Sequence, residues 1–263
     1  MTRSAKPRKN PRRPSRPVPR DSVFYAPALG RDMKKEFYSS LSHIFRGPLV
    51  GATGYVDYLF KGYAGHLTPD QLRQLARVRE SIQRLASVTD AFLDLTAFDL
   101  DLIQPANSPT DLCATIKNML GSLREFGHSR TVSMVVCTPD TPVNILMDRH
   151  WVKTLLNELT SNAMLLTRDG GRVQLDIVPQ NRKVLLRLSC TSSYLEGKGK
   201  PEFFRPFFRL PEKIYPQGGR RGGLGLSLVK RIVAVHGGKI QVGRYMRNGF
   251  TVTVTLKTSG VQS

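Results

Sequence analysis

Two long apolar stripes at helical spacing, separated by a single turn, constrain the fold of this chain more than any other feature. The stripes run through residues 29–62 and 75–96. The apolar residues of the first lie near one face of a helix, and those of the second recur at steps of three and four. Between them, Thr68 suits the N-cap of a helix and Pro69 suits its first position. The sequence therefore predicts a helical hairpin. The stripe positions are Phe37, Leu41, Phe45, Leu49 and Val56 in the first helix and Leu75, Val78, Ile82, Leu85, Thr89, Phe92 and Thr96 in the second.

The predicted hairpin carries more apolar surface than two helices can hide between themselves. Its second stripe keeps the alternating three- and four-residue spacing that is typical of helix bundles. Two hairpins that pair into a four-helix bundle bury such a stripe, so we expect a homodimer. Pro48 predicts a kink in the first helix rather than its end, because apolar spacing continues beyond the proline.

The second half of the chain alternates between helical and strand-like segments. Residues 105–109 contain two prolines and predict a linker. Beyond them, several segments alternate apolar and polar residues as strands do. The order of elements predicts a mixed sheet covered by helices on one face. The predicted helices are 111–126, 150–166 and 224–236, and the predicted strands are 131–137, 143–147, 172–178, 183–190, 239–245 and 250–256.

The net charge of +20 is unevenly distributed. Residues 1–20 carry eight Lys and Arg residues, five prolines and no acid, a composition that predicts a disordered tail. An Arg-rich tail suits a nucleic acid or an anionic membrane surface. A solubilising extension without a dedicated partner is the alternative.

Composition also bears on location and on the cysteines. No apolar run approaches the ~20 residues that span a bilayer, and the N-terminus lacks the apolar region of a secretory signal. We therefore expect a cytoplasmic protein. Cys113, Cys137 and Cys190 are widely separated, so we predict that all three are small buried apolar residues rather than metal ligands.

Two short segments, far apart in the sequence, carry the functional signal. Residues 40–49 place His43 inside the first predicted helix, beside Arg46 and ahead of Pro48. Residues 222–226 read Gly-Gly-Leu-Gly-Leu and lead into a later helix. In this order and spacing, the two segments resemble the phosphoacceptor and ATP-lid boxes of two-component histidine kinases. The resemblance extends over residues 33–258.

This resemblance implies a fold and a division of the chain. It implies an α-helical hairpin that forms a dimeric four-helix bundle, followed by an α+β sandwich of the histidine kinase ATPase, or Bergerat, type. The expected parts are a basic tail (1–28), a dimerisation and phosphotransfer hairpin (29–104), an ATP-binding domain (105–258) and a short tail (259–263). The implied ligands are ATP and Mg²⁺, and the implied partner is a response regulator receiver domain or another kinase.

The phosphoacceptor box departs from the family pattern at two positions. In the family it reads His, acid, any residue, Arg, polar residue, Pro, Leu, which implies His43 as the phosphoacceptor with Arg46 beside it. Ile44 stands where the family has the acid that orients the imidazole and takes its proton. Because a missing general base costs about a hundred- to ten-thousand-fold in rate, we expect impaired autophosphorylation. Gly47 stands where the family has a polar residue that serves phosphatase activity, so we expect that activity to be lost.

The nucleotide boxes are partly retained. Residues 156–163 resemble the asparagine box, which implies Asn162 as the Mg²⁺ ligand and Glu158, one turn earlier, as a second polar contact. Cys190 stands where the family has the Asp that accepts the adenine amino group. A thiol is a weak acceptor, so we expect ATP to bind about ten- to a hundredfold more weakly.

The other implied nucleotide contacts come from an aromatic segment, 203–209, and from the glycine segment. Glycines at the start of a helix let backbone amides approach phosphates. Arg220 and Arg221 stand where the family has glycine, and they either replace lost phosphate contacts or form a solvated basic surface. The implied nucleotide-binding residues are Glu158, Asn162, Phe204, Phe207, Arg220, Arg221, Gly223, Leu224 and Gly225.

Three functions are compatible with the sequence. The favoured hypothesis is a degenerate kinase that acts through His43 as a phosphotransfer intermediate or scaffold, because Ile44, Gly47 and Cys190 all depart from the family pattern. The first alternative is an active ATP-dependent kinase that phosphorylates His43 and passes the phosphoryl group to a response regulator. The second alternative is a dimeric regulator that its tail tethers to nucleic acid or to a membrane.

Overall fold

A computed structural model describes residues 29–104, 108–128, 131–191, 201–208, 221–245 and 249–259. The predicted N-terminal tail, most of the short C-terminal tail and Arg220 lie outside the described residues. The elements in chain order are α1 (Arg31–Phe60), α2 (Pro69–Asp99), β1 (Pro109–Asp111), α3 (Leu112–His128), β2 (Ser133–Cys137), β3 (Asn144–Leu146), α4 (Arg149–Leu166), β4 (Arg172–Gln180), β5 (Lys183–Thr191), α5 (Gly225–Val235), β6 (Lys239–Arg244) and β7 (Gly249–Lys257), with a short 3₁₀ turn (Pro201–Phe204) before α5.

The helical hairpin forms as the sequence predicts. Thr68 caps α2 in a capping box: its hydroxyl accepts from the backbone N–H of Gln71, whose side chain accepts from the backbone N–H of Thr68. Helix α1 continues through Pro48. It also contains Gly47, Gly51 and Gly54, and a Cβ atom added at any of these three would meet nothing within 4 Å.

A five-stranded sheet forms the centre of the second half. Its strand order is β2-β4-β5-β7-β6, with β2 and β4 parallel and the other neighbours antiparallel. Alternate residues of β7 are buried, which is the period of two expected when one face of a sheet is covered. Helices α3, α4 and α5 supply residues to the core that covers this face. Strands β1 and β3 form a separate two-stranded ladder.

The last turns of α2 belong to the core of the sheet domain. Ala91, Leu95 and Phe98 are buried in one cluster with residues of α4 and α5. The ring of Phe98 packs against that of Trp151 on α4, with 4.9 Å between centroids. Since burial of a Leu or Phe side chain contributes about 1.5–3 kcal/mol, the packing of Leu95 and Phe98 attaches the hairpin to the sheet domain in addition to chain connectivity.

Two expectations about individual residues are wrong. Cys137 is exposed rather than buried, because β2 lies at one edge of the five-stranded sheet and alternate side chains on it face solvent. Pro109, expected in the linker, begins β1 and pairs with β3. The other two cysteines, Cys113 and Cys190, are buried as predicted.

Candidate phosphoacceptor and nucleotide site

His43 lies on the exposed surface of α1, in the turn that precedes Pro48. Its neighbour Ile44 is 63% exposed and offers no polar atom to the imidazole from its side chain. At Gly47, one turn further along, a Cβ atom would meet nothing within 4 Å. The surface around the imidazole is therefore open to a partner protein, and packing does not require glycine at position 47.

Arg46 connects the turn that carries His43 to α2. Its Nε and Nη2 atoms both lie 3.3 Å from Oδ1 of Asp90. Beside this pair, the rings of Phe45 and Phe92 meet edge to face with 6.2 Å between centroids. Both charged side chains are about half exposed, so the ion pair contributes less than about 1 kcal/mol to stability. The pair is a contact between α1 and α2 next to His43.

The asparagine box lies on α4, whose N-terminus is capped by Asp148. Asn162 and Glu158 are one turn apart on this helix, and Nδ2 of Asn162 donates to the backbone carbonyl of Glu158 at 2.6 Å. The Glu158 side chain is nearly buried. An amide oxygen is a suitable ligand for a hard cation such as Mg²⁺, so the chemistry of Asn162 fits the role that the resemblance implies.

Two glycines bring the start of α5 against the asparagine box and the aromatic segment. Gly223 has a φ of +87°, and a Cβ atom there would lie 2.6 Å from the backbone oxygen of Phe208. At Gly225, a Cβ atom would lie 2.1 Å from Oε2 of Glu158 and 3.3 Å from Nδ2 of Asn162. The distances of 2.6 Å at Gly223 and 2.1 Å at Gly225 are too short for an added carbon atom. The N-terminus of α5, which favours anionic groups, consequently faces Glu158 and Asn162.

Arg221 lies between two carboxylates. Its Nε atom is 2.9 Å from Oε1 of Glu158, and its Nη1 atom is 3.9 Å from Oδ2 of Asp94 on α2. Burial raises the pKa of the Asp94 carboxyl above its usual value, and the charges of Arg221 and then His150 oppose that rise. Arg221 therefore bridges α4 and α2 rather than forming part of a fully solvated surface.

Cys190, which the resemblance assigns to the base end of the site, lies near the end of β5. The residue is fully buried, and in the sheet it lies opposite Val173 on β4 and Phe250 on β7. Burial raises the pKa of the Cys190 thiol to about 12, and hydrogen bonds with Thr167 and with the backbone of Phe250 offset only part of that rise. The sulfur is thus a neutral thiol at physiological pH and carries no charge with which to accept a hydrogen bond.

The remaining implied nucleotide contacts fall into two groups. Phe204 and Leu224 are buried in the core, so their side chains contribute to the packing beneath the site. Phe207 is 56% exposed and has a φ of +60°. The structure thus brings Glu158, Asn162, Arg221, Gly223 and Gly225 together at the start of α5, whereas Arg220 lies outside the described residues.

Sequence reasoning missed two carboxylates of α2, Asp90 and Asp94. They lie one turn apart and contact Arg46 and Arg221, respectively. The available signal was a pair of acidic residues one turn apart in the C-terminal part of α2, where most neighbouring residues are apolar. That signal does not name the partners, because both arginines come from other parts of the chain.

The chain has an exposed histidine on a helical hairpin. The hairpin is joined to an α+β domain in which a glycine turn packs against an asparagine-bearing helix. This arrangement defines the catalytic core of histidine kinases as a class. Two family matches agree with this architecture. Residues 33–100 match the His Kinase A (phospho-acceptor) domain, and residues 147–260 match the histidine kinase-, DNA gyrase B-, and HSP90-like ATPase family. The chain belongs to the two-component sensor histidine kinase family.

Individual relatives are similar at a lower level of identity. The sensor protein GacS of Pseudomonas syringae pv. syringae is 27% identical over 230 residues, which cover 86% of this chain and 25% of GacS. The signal transduction histidine-protein kinase BaeS of Escherichia coli is 25% identical over 86% of this chain and 47% of BaeS. The chain thus spans between a quarter and a half of the length of these relatives.

Solved structures share the fold. Full-length ShkA in complex with AMPPNP superposes with a TM-score of 0.72 at 22% identity, over 87% of this chain and 47% of ShkA. The Acinetobacter baumannii histidine kinase AdeS gives a TM-score of 0.57 at 17% identity, over 83% of this chain and 98% of AdeS. Within the described residues, none of the helices combines the length and apolar character needed to cross a bilayer.

Proposed function

We propose that this chain is a phosphotransfer protein of two-component signalling, which acts through His43 and is impaired in taking phosphoryl groups from ATP. The observation that carries the proposal is the burial of Cys190. A neutral thiol with a pKa raised to about 12 occupies the position that the family uses for a base-reading carboxylate. The loss of a charged hydrogen bond weakens nucleotide binding by about ten- to a hundredfold.

The turn that carries His43 supports transfer between proteins more than transfer from ATP. In such a transfer, the imidazole nitrogen forms a bond to phosphorus while the acyl-phosphate bond of a phosphorylated receiver aspartate breaks and releases its carboxylate. An exposed imidazole permits this approach. Ile44 contributes no general base for the more demanding attack on ATP, which favours slow autophosphorylation.

The phosphate end of the nucleotide site fits Mg²⁺ and a polyphosphate better than the base end fits adenine. Asn162 would hold Mg²⁺ through its amide oxygen, and the N-terminus of α5 would receive phosphate groups. Bound Mg²⁺ neutralises the charge that develops on the transferring phosphoryl group. We therefore expect weak nucleotide binding with little preference for adenine.

The proposed partners are a second copy of the chain and a response regulator receiver domain. Apolar side chains of α2 remain open to solvent, with Leu85 56% and Val78 48% exposed. They line a groove of about 340 Å³ together with Gln74, Arg77, Ser81 and Ile82. A second hairpin would cover this stripe in a four-helix bundle. The exposed turn of His43 stays available to a receiver.

An active ATP-dependent histidine kinase is the second candidate, and the intact glycine cradle favours it. Gly223 and Gly225 retain contacts that admit no side chain, as a phosphate-binding turn requires. The bound AMPPNP of ShkA supports nucleotide binding by this fold. The third candidate, a regulator tethered by its tail, depends on residues outside those described.

Phosphorylation with labelled ATP and Mg²⁺ separates the first two candidates. We expect the wild-type chain to acquire little label, and Ile44→Glu to acquire it about a hundredfold faster because the variant restores a carboxylate beside the imidazole. His43→Gln is the control that should abolish label in both backgrounds. Wild-type labelling as fast as that of Ile44→Glu would favour the active kinase instead.

A panel of receiver domains charged by labelled acetyl phosphate tests transfer between proteins. The proposal predicts label on His43 from at least one charged receiver, and none in His43→Gln. Transfer from none of the panel, combined with rapid labelling from ATP, would contradict the phosphotransfer role.

A further inference from the structure

We propose that Asp94, Arg221 and Glu158 form an ionic latch, which ties the nucleotide-binding part of the chain to α2 and which a polyphosphate ligand opens. The inference rests on the proposed function, because it requires that phosphate groups bind at the start of α5. It adds a residue of the phosphoacceptor hairpin, Asp94, to the control of that site.

The first observation is that Arg221 is shared between the two parts of the chain. Its guanidinium contacts Glu158 on α4 at 2.9 Å and Asp94 on α2 at 3.9 Å. All three side chains are less than a quarter exposed. Nη1 of Arg221 is shielded from solvent and has no hydrogen-bond partner among the described residues. The guanidinium therefore keeps a donor available for a further acceptor, such as a phosphate oxygen.

The second observation is that the latch occupies the phosphate end of the site. Oε1 of Glu158 contacts Arg221, and Oε2 of Glu158 lies 2.1 Å from the position that a Cβ atom on Gly225 would take. A carboxylate thus stands at the helix N-terminus that favours anions. A polyphosphate that arrives there attracts Arg221 and repels Glu158, so the ligand and the closed latch compete for the same guanidinium.

The third observation is that, among the described residues, a second ion pair also joins α2 to the sheet domain. Asp99, just over one turn beyond Asp94, pairs with Arg231 of α5, and its side chain is only 1% exposed. This deeper pair is remote from the glycine turn, since Arg231 lies in the second half of α5. Release of Arg221 therefore loosens the contact at Asp94 while the pair at Asp99 holds the end of α2 in place.

Calorimetric titration of the full chain with inorganic tripolyphosphate and with Mg-ATP tests whether the ligand and the latch compete for Arg221. Asp94→Asn removes one competitor for Arg221, so we expect two- to fivefold tighter binding of both ligands, as suits a partly exposed ion pair. Arg221→Ala should weaken binding by about tenfold, and Asp94→Asn should have no effect in that background. Glu80→Gln, which breaks an exposed pair with Arg84 on the same helix, is the matched control and should leave the affinity unchanged.

Hydrogen exchange of the turn of α2 that carries Asp94 gives a readout that does not need the ligand. Asp94→Asn and Arg221→Ala should both speed exchange there, and Glu80→Gln should not. Tripolyphosphate should speed exchange in the two chains that keep the latch, wild type and Glu80→Gln, and not in the other two. Binding of tripolyphosphate without any effect of Asp94→Asn on affinity or exchange would overturn the latch while leaving the nucleotide site intact. Failure of every chain to bind tripolyphosphate or ATP would overturn both the opening of the latch and the proposed nucleotide site.

Discussion

The phosphate end and the base end of the proposed nucleotide site are held by different kinds of structure. At the phosphate end, Gly223 and Gly225 lie against neighbouring segments with no space for a side chain. At the base end, a single residue in a regular strand, Cys190, decides whether a carboxylate is present. A substitution at Cys190 leaves the pairing of β5 unchanged, whereas one at Gly223 disturbs the contact between two segments. Recognition of the base is therefore easier to lose by point substitution than the phosphate cradle.

The largest effect is expected from a substitution at the phosphate end. Gly223→Ala places a carbon 2.6 Å from a backbone oxygen at a φ of +87°, so we expect the free energy of unfolding to fall by about 2–4 kcal/mol. Urea denaturation of the full chain measures this change. Gly170→Ala is the matched control, because its φ of +74° is similar but a Cβ atom there meets nothing within 4 Å. For the control we expect a loss of only about 1 kcal/mol, which is the cost of placing an alanine at a positive φ. Equal losses in the two variants would show that the cradle at Gly223 is not tight.

Restoring a carboxylate at position 190 should increase the preference of the proposed site for adenine. We expect Cys190→Asp to favour ATP over GTP by about tenfold, because the carboxylate regains a charged hydrogen bond to the adenine amino group. Competition between the two nucleotides for the full chain measures the ratio. Cys190→Ser, which adds a hydroxyl without charge, is the control and should keep the ratio near one. A wild-type chain that already prefers ATP by tenfold would contradict the assignment of Cys190 to the base end.

The smallest effect concerns alkaline pH. The pKa of Cys190 is raised to about 12 in the folded chain, from an ordinary value of 9.0. The unfolded chain therefore loses this proton first, and the stabilising contribution, complete below pH 9, declines as the pH rises above it. Between pH 8 and pH 10 the wild-type chain should lose about 1 kcal/mol more stability than Cys190→Ala, since one pKa unit corresponds to about 1.4 kcal/mol. Identical pH dependences in urea denaturation would show that Cys190 is not buried as described.

The elements of this fold that depend on local chemistry could be predicted from the sequence. Thr68 and Pro69 mark the start of α2 by capping and by a fixed φ, and the glycines before α5 mark its beginning. Family membership followed from the order of short motifs, which needs no knowledge of packing. These features are determined by residues that are close together in the sequence.

The features that were not predicted depend on which distant segments meet. The pairing of β1 with β3 joins residues separated by the whole of α3. The exposure of Cys137 follows from the place of β2 at the sheet edge, which a strand pattern does not give. Likewise, an arginine near glycines suggests a phosphate contact, whereas its position between Glu158 and Asp94 follows only from how α2 packs on the sheet domain.

The glycines and the proline of α1 affect how the hairpin folds. Each interior glycine costs about 1 kcal/mol relative to alanine, and an interior proline costs about 3 kcal/mol. With Gly47, Gly51, Gly54 and Pro48 in its middle, this segment has little intrinsic tendency to be helical. It becomes helical through contact with α2 and, in the proposed dimer, with the second hairpin. In the proposed dimer, helix formation by the segment that bears His43 would be coupled to association of the subunits. The concentration of the chain would then determine how much of the phosphoacceptor is ready to react.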